Sequence, residues 1–315
     1  MATDTGPLII LGGSNCQVNA FRMAKQRGQH TVLFDYLQSP PAAALADVHL
    51  QVSTFDAEAC TTAAGALAPA GVMTLGTDQP VYTAARMAKA LGLPTLLDEE
   101  TAFAATNKAR MKKILTESGI PTVPWRLVDE RALAALPAKG PVVIKPLDSQ
   151  GQKGVFLAQS PQVAAGWYAQ SIAFSRLDKL LCEEYYPSEE ITVSAWVQNG
   201  VPTVLSVTDR VTFTHARHIG VCAAHRFPSR AAAGHEETLA ALTRQICSAF
   251  AIPAGPLYIQ YLVGAKGVVV NEIACRIGGA FEDVFIPFLT GFDILAAVMD
   301  AALGAPAAVV PAFAP

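Results

Sequence analysis

Residues 142–155 read VVIKPLDSQGQKGV. Lys145 lies at the end of a predicted apolar strand and is followed by a turn rich in Ser and Gly. A second apolar strand, GVFLA, comes after the turn. Glycines let such a loop close with its backbone N–H groups inward over phosphates, while the lysine sets a point charge beside phosphate oxygens. The pattern predicts a phosphate-binding loop, and an ordinary β-hairpin with a surface lysine is the alternative. The candidate loop residues are Lys145, Ser149, Gln150, Gly151, Gly154 and Val155.

The composition is that of a globular protein. The chain has 315 residues, of which 51% are hydrophobic, so it can bury the cores of two or three lobes. Its formal net charge is −3, and it has no long run of one sign to suit a phosphate backbone or an anionic membrane. The N-terminus has no basic patch before its short apolar run, so we expect a cytoplasmic protein without nucleic-acid or membrane partners. The six cysteines form no CxxC pair, which argues against a zinc site and against disulfides.

The first third of the chain alternates short apolar runs with helical patterns, as parallel βαβ units do. We predict strands at 7–12, 31–35 and 71–75, with helices at 18–26 and 81–91.

An early glycine turn, Gly12-Gly13-Ser14, lies between the first strand and the first helix, where it can hold an anion. Asp35 ends the second strand, where a dinucleotide-binding protein keeps its ribose-binding acid, but a GxGxxG fingerprint is missing. Three interpretations of this turn remain: a nicotinamide site, a site for a small substrate, and a plain structural turn.

The second part of the chain changes pattern. A helix is predicted at 109–117, and from residue 141 strands with Gly-rich turns suggest a mostly antiparallel sheet. A further helix is predicted at 235–250. Two strands then bracket Ala265-Lys266-Gly267, which predicts a hairpin turn.

Further motifs follow the lysine loop in a fixed order: LLCEEYYPSEEITVSA, and then VVVNEIACRIGG, with NKARMKK upstream. Together with the KP and Ser/Gly loop, these segments resemble the motifs of the ATP-grasp superfamily over nearly the whole chain. DSQGQKGV and RIGG look most similar to the carbamoyl phosphate synthetase and L-amino-acid ligase branch.

The resemblance implies an α/β fold with an N-terminal parallel βαβ domain, residues 1–97, followed by a two-lobed α+β ATP-grasp domain. The first of these lobes, 98–182, would carry the phosphate lid, and the second, 183–315, the metal and substrate site. A homodimer is a further implication.

The resemblance also implies a nucleotide site. Lys108 and Lys145 would hold phosphates, and Glu190 would bind the ribose hydroxyls, which suit a carboxylate. The segment LLCEEYYPSEEITVSA would be the hinge that binds adenine, and a polar loop between two strands is the alternative for it. The residues that would line the adenine are Glu183, Glu184, Tyr185 and Tyr186.

The last motif would hold Mg²⁺ and the triphosphate, with Glu272 and Arg276 in the expected places. Gln260 stands where the family pattern has its first metal-binding Glu, and Ala274 stands where it commonly has Asn. A Gln offers an amide oxygen without charge, so another side chain would have to substitute, and the alternative is a protein that binds nucleotide without efficient turnover. The candidate substitutes are Asn271, Glu282 and Asp283.

The activity implied is an ATP-dependent carboxylate–amine ligase. The carboxylate attacks the γ-phosphorus to give an acylphosphate and ADP, and an amine then displaces phosphate; Arg276 and Lys145 are the catalytic candidates. A cationic cluster around residues 210–226 suits a carboxylate or phosphate substrate, with a solvated loop as the alternative. The substrate-binding candidates are Arg210, His215, Arg217, His218, Arg276, Gly278 and Gly279, and the same cluster contains His225 and Arg226.

Overall fold

The computed structural model describes residues 6–213, 220–306 and 308–311. Its strands are β1 Leu8–Leu11, β2 Thr31–Phe34, β3 Val48–Leu50, β4 Gly71–Met73, β5 Trp125–Val128, β6 Val142–Pro146, β7 Phe156–Ala158, β8 Leu180–Glu184, β9 Ser188–Gln198, β10 Val201–Thr212, β11 Cys222–Arg226, β12 Ala254–Gly264 and β13 Gly267–Ala274. Its α-helices are α1 Val18–Gln26, α2 Ala57–Gly65, α3 Gln79–Leu91, α4 Glu99–Thr106, α5 Lys108–Glu117, α6 Glu130–Ala134, α7 Pro161–Ala165, α8 Tyr168–Ile172, α9 Glu236–Ala249, α10 Glu282–Thr290 and α11 Ile294–Ala302.

The N-terminal sheet is parallel, in the order β3-β2-β1-β4. Helices α2 and α3 cover one face, and α1 covers the other together with α11 from the far end of the chain. A parallel sheet covered on both faces has near-continuous apolar strands, which explains why LIIL and TVLF are fully buried. The carboxyl ends of its strands therefore form one edge, where ligands bind in open α/β sheets.

The lid sheet is antiparallel, in the order β5-β8-β6-β7, and α6, α7 and α8 pack on it. Strand β6 lies between β7 and β8, so Ile144 pairs with Phe156 on one side and Cys182 on the other. The loop from β6 to β7 projects from this sheet and carries the lysine-and-glycine motif.

The large sheet is also antiparallel, in the order β11-β10-β9-β12-β13. Its largest core cluster joins apolar side chains of β9, β12 and β13 to those of α4, α5 and α9. The hairpin between β12 and β13 turns at Ala265 and Lys266.

The structure confirms the predicted mixed α/β fold with an N-terminal parallel sheet and antiparallel sheets beyond it. Helix α1 has the predicted bounds, and α9 is one residue shorter at each end than predicted. The division at residues 97 and 182 stays a prediction, although α5 packs outside its predicted lobe. Met111 and Leu115 of α5 belong to the core of the large sheet, not to that of the lid sheet.

No single helix in the described ranges is long and apolar enough to cross a membrane. Helices α10 and α11 pass that test only as a pair, which is bent by 112°.

Candidate active site

The three sheets meet around two adjoining cavities of about 180 Å³ and about 550 Å³. Lys145, Gln152 and Val155 line both of them. The smaller cavity lies between the lid sheet and the hinge that follows β8. The larger one extends to the carboxyl edge of the N-terminal sheet.

Lys108 opens α5, whose N-cap Asn107 accepts a hydrogen bond from the backbone of Arg110. The ammonium of Lys108 lies 2.9 Å from Oε1 of Glu272 and donates to the carbonyl of Ser149 at 2.8 Å. Burial alone would lower the pKa of Lys108, but the charges of Glu272 and Asp78 outweigh it and raise that pKa. Lys108 is therefore a buried, charged cation at the base of the loop between β6 and β7.

Lys145 lies near the end of β6, with its ammonium 2.6 Å from Oε2 of Glu183, and it donates to Oδ1 of Asn271 at 3.0 Å. The other oxygen of Glu183 lies 2.7 Å from the ammonium of Lys112. Burial would raise the pKa of Glu183, but these two lysines lower it to about 2. Glu183 lines the smaller cavity, yet both carboxylate oxygens face lysines, a geometry that differs from the expected contact with adenine alone.

The β6–β7 loop, residues 147–155, is shaped by glycines in left-handed conformations. Gly151 has φ +64° and Gly154 has φ +75°, and a Cβ on Gly154 would lie 2.7 Å from Pro146 and 2.9 Å from the carbonyl of Ser171. Ser149 closes the loop by donating to the carbonyl of Lys153 at 2.9 Å. The loop is therefore more tightly constrained than the ordinary β-hairpin that the sequence left as the alternative, and its binding of phosphate stays a prediction.

The loop also touches the N-terminal sheet. The amide oxygen of Gln150 accepts hydrogen bonds from the backbone N–H groups of Asp78 at 2.8 Å and Gln79 at 3.3 Å. Val155, at the end of the loop, is buried against both cavities. The lid is thus held against the start of α3.

The hinge residues Glu184, Tyr185, Tyr186 and Glu190 all line the smaller cavity. The hydroxyl of Tyr186 donates to the carbonyl of Gly267 at 2.9 Å, which fixes its ring on the β12–β13 hairpin. Glu190, expected at the ribose, lies 3.3 Å from Nε of Arg210. The expected ribose and substrate groups are therefore neighbours.

The candidate metal ligands Gln260 and Glu272 are direct cross-strand partners on β12 and β13. Oε1 of Gln260 accepts from Asn271 at 3.3 Å, which continues the chain of contacts from Lys145. Burial would raise the pKa of Glu272, but Lys108 and Lys145 lower it, so this carboxyl is ionised. Glu282 and Asp283 do not line either cavity: Glu282 accepts from the backbone of Ala280, and Asp283 accepts from Asn19.

Arg276 lies under the larger cavity, with Nη2 2.6 Å and Nε 2.8 Å from Oδ1 of Asp78. Its guanidinium stacks 4.7 Å from the ring centroid of Tyr258, whose hydroxyl accepts from Arg210 at 2.6 Å. The sequence did not single out Asp78, although its place in GTDQP, shortly after β4 ends at Met73, is a detectable strand-end signal.

Gly278 and Gly279, which follow Arg276, have no side chains and so let Glu282 and Gly76 pack closely against their backbone. A Cβ on Gly278 would lie 2.2 Å from the carboxyl group of Glu282, and one on Gly279 would lie 2.7 Å from the carbonyl of Gly76. Gly279 lines the larger cavity. The backbone N–H of Gly76 donates to the carbonyl of Ile277 at 3.0 Å, which holds the loop that follows Arg276 against the edge of the N-terminal sheet.

The cationic cluster predicted around residues 210–226 is divided in the structure. Arg210 lines the larger cavity, whereas Arg226 points to Asp209 at 3.7 Å. His225 contacts Thr208 at 2.8 Å, and burial, with the charge of Arg210, lowers its pKa to about 4. Three further predicted substrate residues lie outside the described ranges: His215, Arg217 and His218.

The early glycine turn lines the same larger cavity. Asp35 accepts hydrogen bonds from the backbone N–H groups of Gly13 at 2.8 Å and Leu37 at 2.9 Å, so both of its oxygens brace the turn. A carboxylate used in this way is unlike the ribose-binding acid of a dinucleotide site, and the turn fits a structural or small-substrate role.

No protein-family model matches the chain. Over 221 residues it is 27% identical to dapdiamide A synthase of Enterobacter agglomerans, which covers 65% of this chain and 50% of that protein. Over 190 residues it is 26% identical to the L-arginine-specific L-amino acid ligase of Bacillus subtilis, and this alignment covers 57% of this chain and 45% of that protein. The chain thus spans about half the length of these relatives.

Two solved structures resemble the whole architecture. The L-amino acid ligase of Bacillus licheniformis superposes with a TM-score of 0.77 at 19% identity, over 96% of this chain and 75% of that one. The ADP complex of an N5-carboxyaminoimidazole ribonucleotide synthetase superposes with a TM-score of 0.76 at 17% identity, over 97% and 79%. The chain thus shares the fold of these two enzymes, and its motifs follow the order expected from the resemblance to the ATP-grasp superfamily.

Proposed function

We propose that the chain is an ATP-dependent carboxylate–amine ligase that works through an acylphosphate and releases ADP and phosphate. The observation that supports this most is the convergence of three cations, the buried Lys108 and Arg276 and the partly buried Lys145, around one cavity that the Glu272 carboxylate and a glycine loop also line. Cations at fixed positions in a water-poor site are what phosphoryl transfer needs, since its catalysis is positioning and charge neutralisation.

The nucleotide would lie across both cavities. The smaller one would take adenine and ribose, with Tyr185, Tyr186 and Glu184 around the base and Glu190 near the sugar. Lys108, Lys145 and the Ser149–Gly154 part of the loop would hold the phosphates at the join with the larger cavity. The cavities' shared lining by Lys145 supports this arrangement, because a phosphate chain must pass from one to the other.

The donor set fits Mg²⁺ held largely by phosphate oxygens. Glu272 supplies one carboxylate and Gln260 an amide oxygen, both hard oxygen ligands, and Mg²⁺ commonly takes one or two carboxylates together with substrate phosphates. The described part of the chain contains no group of three or more His, Cys, Asp or Glu side chains suited to an all-protein metal cage. When bound, the ion would neutralise phosphate charge.

The reaction would have two steps. A carboxylate oxygen of the acid attacks the γ-phosphorus, the bond to the β–γ bridging oxygen breaks, and ADP leaves. An amine nitrogen then attacks the acyl carbon, phosphate departs with the oxygen that the acid supplied, and the nitrogen loses a proton. Arg276 would stabilise the charge on the transferred phosphoryl group, exchanging its present contact with Asp78 for the reacting oxygens.

Small acids and amines fit the larger cavity. Arg210, Arg276 and the Gly278-Gly279 turn would bind the acid. Two relatives are named for amino acid ligation, which makes amino acids the first compounds to try.

A second candidate function is nucleotide binding without efficient turnover. Gln260 favours it, because the site has a single carboxylate where two would hold metal more firmly.

A screen of ADP release across amino acids and small carboxylates, with and without Mg²⁺, tests the proposal. We expect at least one acid to raise ADP release in the presence of Mg²⁺, and we expect Lys145→Met to abolish the rise. Lys113→Met is a matched control, because Lys113 is an exposed residue of α5 that pairs with Glu117. ATP binding with no acid-dependent release across the panel would favour the second candidate instead.

A further inference from the structure

Lys112 is a buried cation to which the proposed reaction assigns no part. It lies one turn after Lys108 on α5 and is 1% exposed. Its ammonium lies 2.7 Å from Oε1 of Glu183, donates to Oγ1 of Thr122 at 2.7 Å and reaches the carbonyl of Val270 at 3.5 Å. Lysine is almost never fully buried unless it is paired, so this contact set calls for an explanation.

The carboxylate that Lys112 holds is shared. One oxygen of Glu183 faces Lys112, and the other lies 2.6 Å from the ammonium of Lys145. Lys145 lines both cavities, whereas Lys112 lines neither. With two lysines and one glutamate, the cluster carries a formal charge of +1, and its cation on the cavity side is Lys145.

The shared carboxylate has an electrostatic consequence. If Glu183 faced Lys145 alone, the two would form a neutral pair, and the pair would attract phosphate oxygens less than a free ammonium does. The second lysine offsets the glutamate, so Glu183 can orient Lys145 without cancelling the attraction of the cluster for an anion. The anchors of Lys112 on Thr122 and Val270 also fix the carboxylate that in turn orients Lys145.

We propose that Lys112 is a positioning residue for nucleotide binding: it balances the charge of Glu183, so that Lys145 is both oriented by that carboxylate and left with a net positive field for the ATP phosphates. This rests on the proposed function, because it takes the cavity beside Lys145 as the site of ATP.

Binding of ATP and of adenosine, each measured by calorimetry, separates this role from a merely structural one. Lys112→Met keeps the length and the apolar stem of the side chain but makes the cluster neutral. We expect it to weaken ATP binding on the order of tenfold and to leave adenosine binding unchanged, because adenosine carries no phosphate. Lys113→Met, on the same helix but exposed, should change neither.

The double variant Lys112→Met with Glu183→Gln supplies the rescue. It removes both members of a buried pair and returns the cluster to a charge of +1 through Lys145, so ATP affinity should come back to within about threefold of the wild type. If Lys112→Met does not fold, this double variant carries the test by itself. A loss of ATP affinity in the double variant that clearly exceeds about threefold relative to the wild type overturns the proposal.

Two other results also overturn it. One is ATP affinity in Lys112→Met equal to that in Lys113→Met. The other is an equal loss of ATP and adenosine binding, which would make Lys112 a structural residue. Wild-type protein that binds adenosine and ATP equally, or neither, would instead refute the proposed function on which this inference rests.

Discussion

Acid should destabilise the protein through Glu183 over a defined pH range. The pKa of this carboxyl is lowered from 4.5 to about 2 in the folded chain. A carboxyl whose pKa is lower in the folded state contributes stability above its unfolded pKa and loses it as the pH falls toward its folded pKa. The full contribution, present at pH 7, is about 3 kcal/mol, since one pKa unit corresponds to about 1.4 kcal/mol. On the order of 1 kcal/mol of it should be lost by pH 3.5.

Urea unfolding followed by tryptophan fluorescence between pH 7 and pH 3.5 measures this loss. Glu183→Gln alone would leave two lysines short of their counter-charge and cost several kcal/mol, so the better reference is the double variant with Lys112→Met. Other carboxyls titrate in both proteins and cancel in the comparison. We expect the unfolding free energy of the double variant to fall by on the order of 1 kcal/mol less than that of the wild type over this range. Parallel pH profiles would show that Glu183 has an ordinary pKa and would refute the reasoning.

Three further predictions follow from the site. Lys108→Met should weaken ATP binding by at least about tenfold in calorimetry, because it removes a cation at the phosphates, and binding equal to the wild type would contradict that role. Gln260→Glu should lower the Mg²⁺ concentration needed for half-maximal ADP release, because it places a second carboxylate opposite Glu272; an unchanged requirement would count against this metal site. Gly154→Ala should cost about 1–3 kcal/mol in urea unfolding, more than Gly151→Ala, because both glycines have positive φ but only the Cβ at Gly154 would clash; equal costs would contradict the loop geometry.

The local features of the fold could be predicted from the sequence. Helix α1 was predicted residue for residue, because its apolar spacing and the glycine after it are signals within one short segment. The form of the loop after Lys145 was predicted for the same reason, since strand, lysine and glycines lie within fourteen residues. Its phosphate-binding role stays a prediction. The order of the later motifs then indicated a resemblance to the ATP-grasp superfamily, and solved structures with the same overall fold agree with the fold that this resemblance implies.

The contacts between distant segments could not be predicted. Asp78 forms an ion pair with Arg276, which is 198 residues away in the sequence, and no local pattern near either residue predicts that they are partners. The sequence placed Glu183 at the hinge, but the direction of its carboxylate depends on Lys112, which looked like an ordinary basic residue of a solvated helix. In the same way, α11 packs on the N-terminal sheet because β4 leaves an apolar face there, a tertiary contact without a local signal.

The transfer of oxygen from the acid to phosphate tests the central claim most directly. The acid that raises ADP release is labelled with ¹⁸O in its carboxylate, and the phosphate released with the amide product is examined by mass spectrometry. An acylphosphate intermediate predicts one ¹⁸O atom in each phosphate, because the acid oxygen that attacks the γ-phosphorus leaves with it. Unlabelled phosphate would mean that water, not the carboxylate, attacks ATP, and would contradict the proposed ligase.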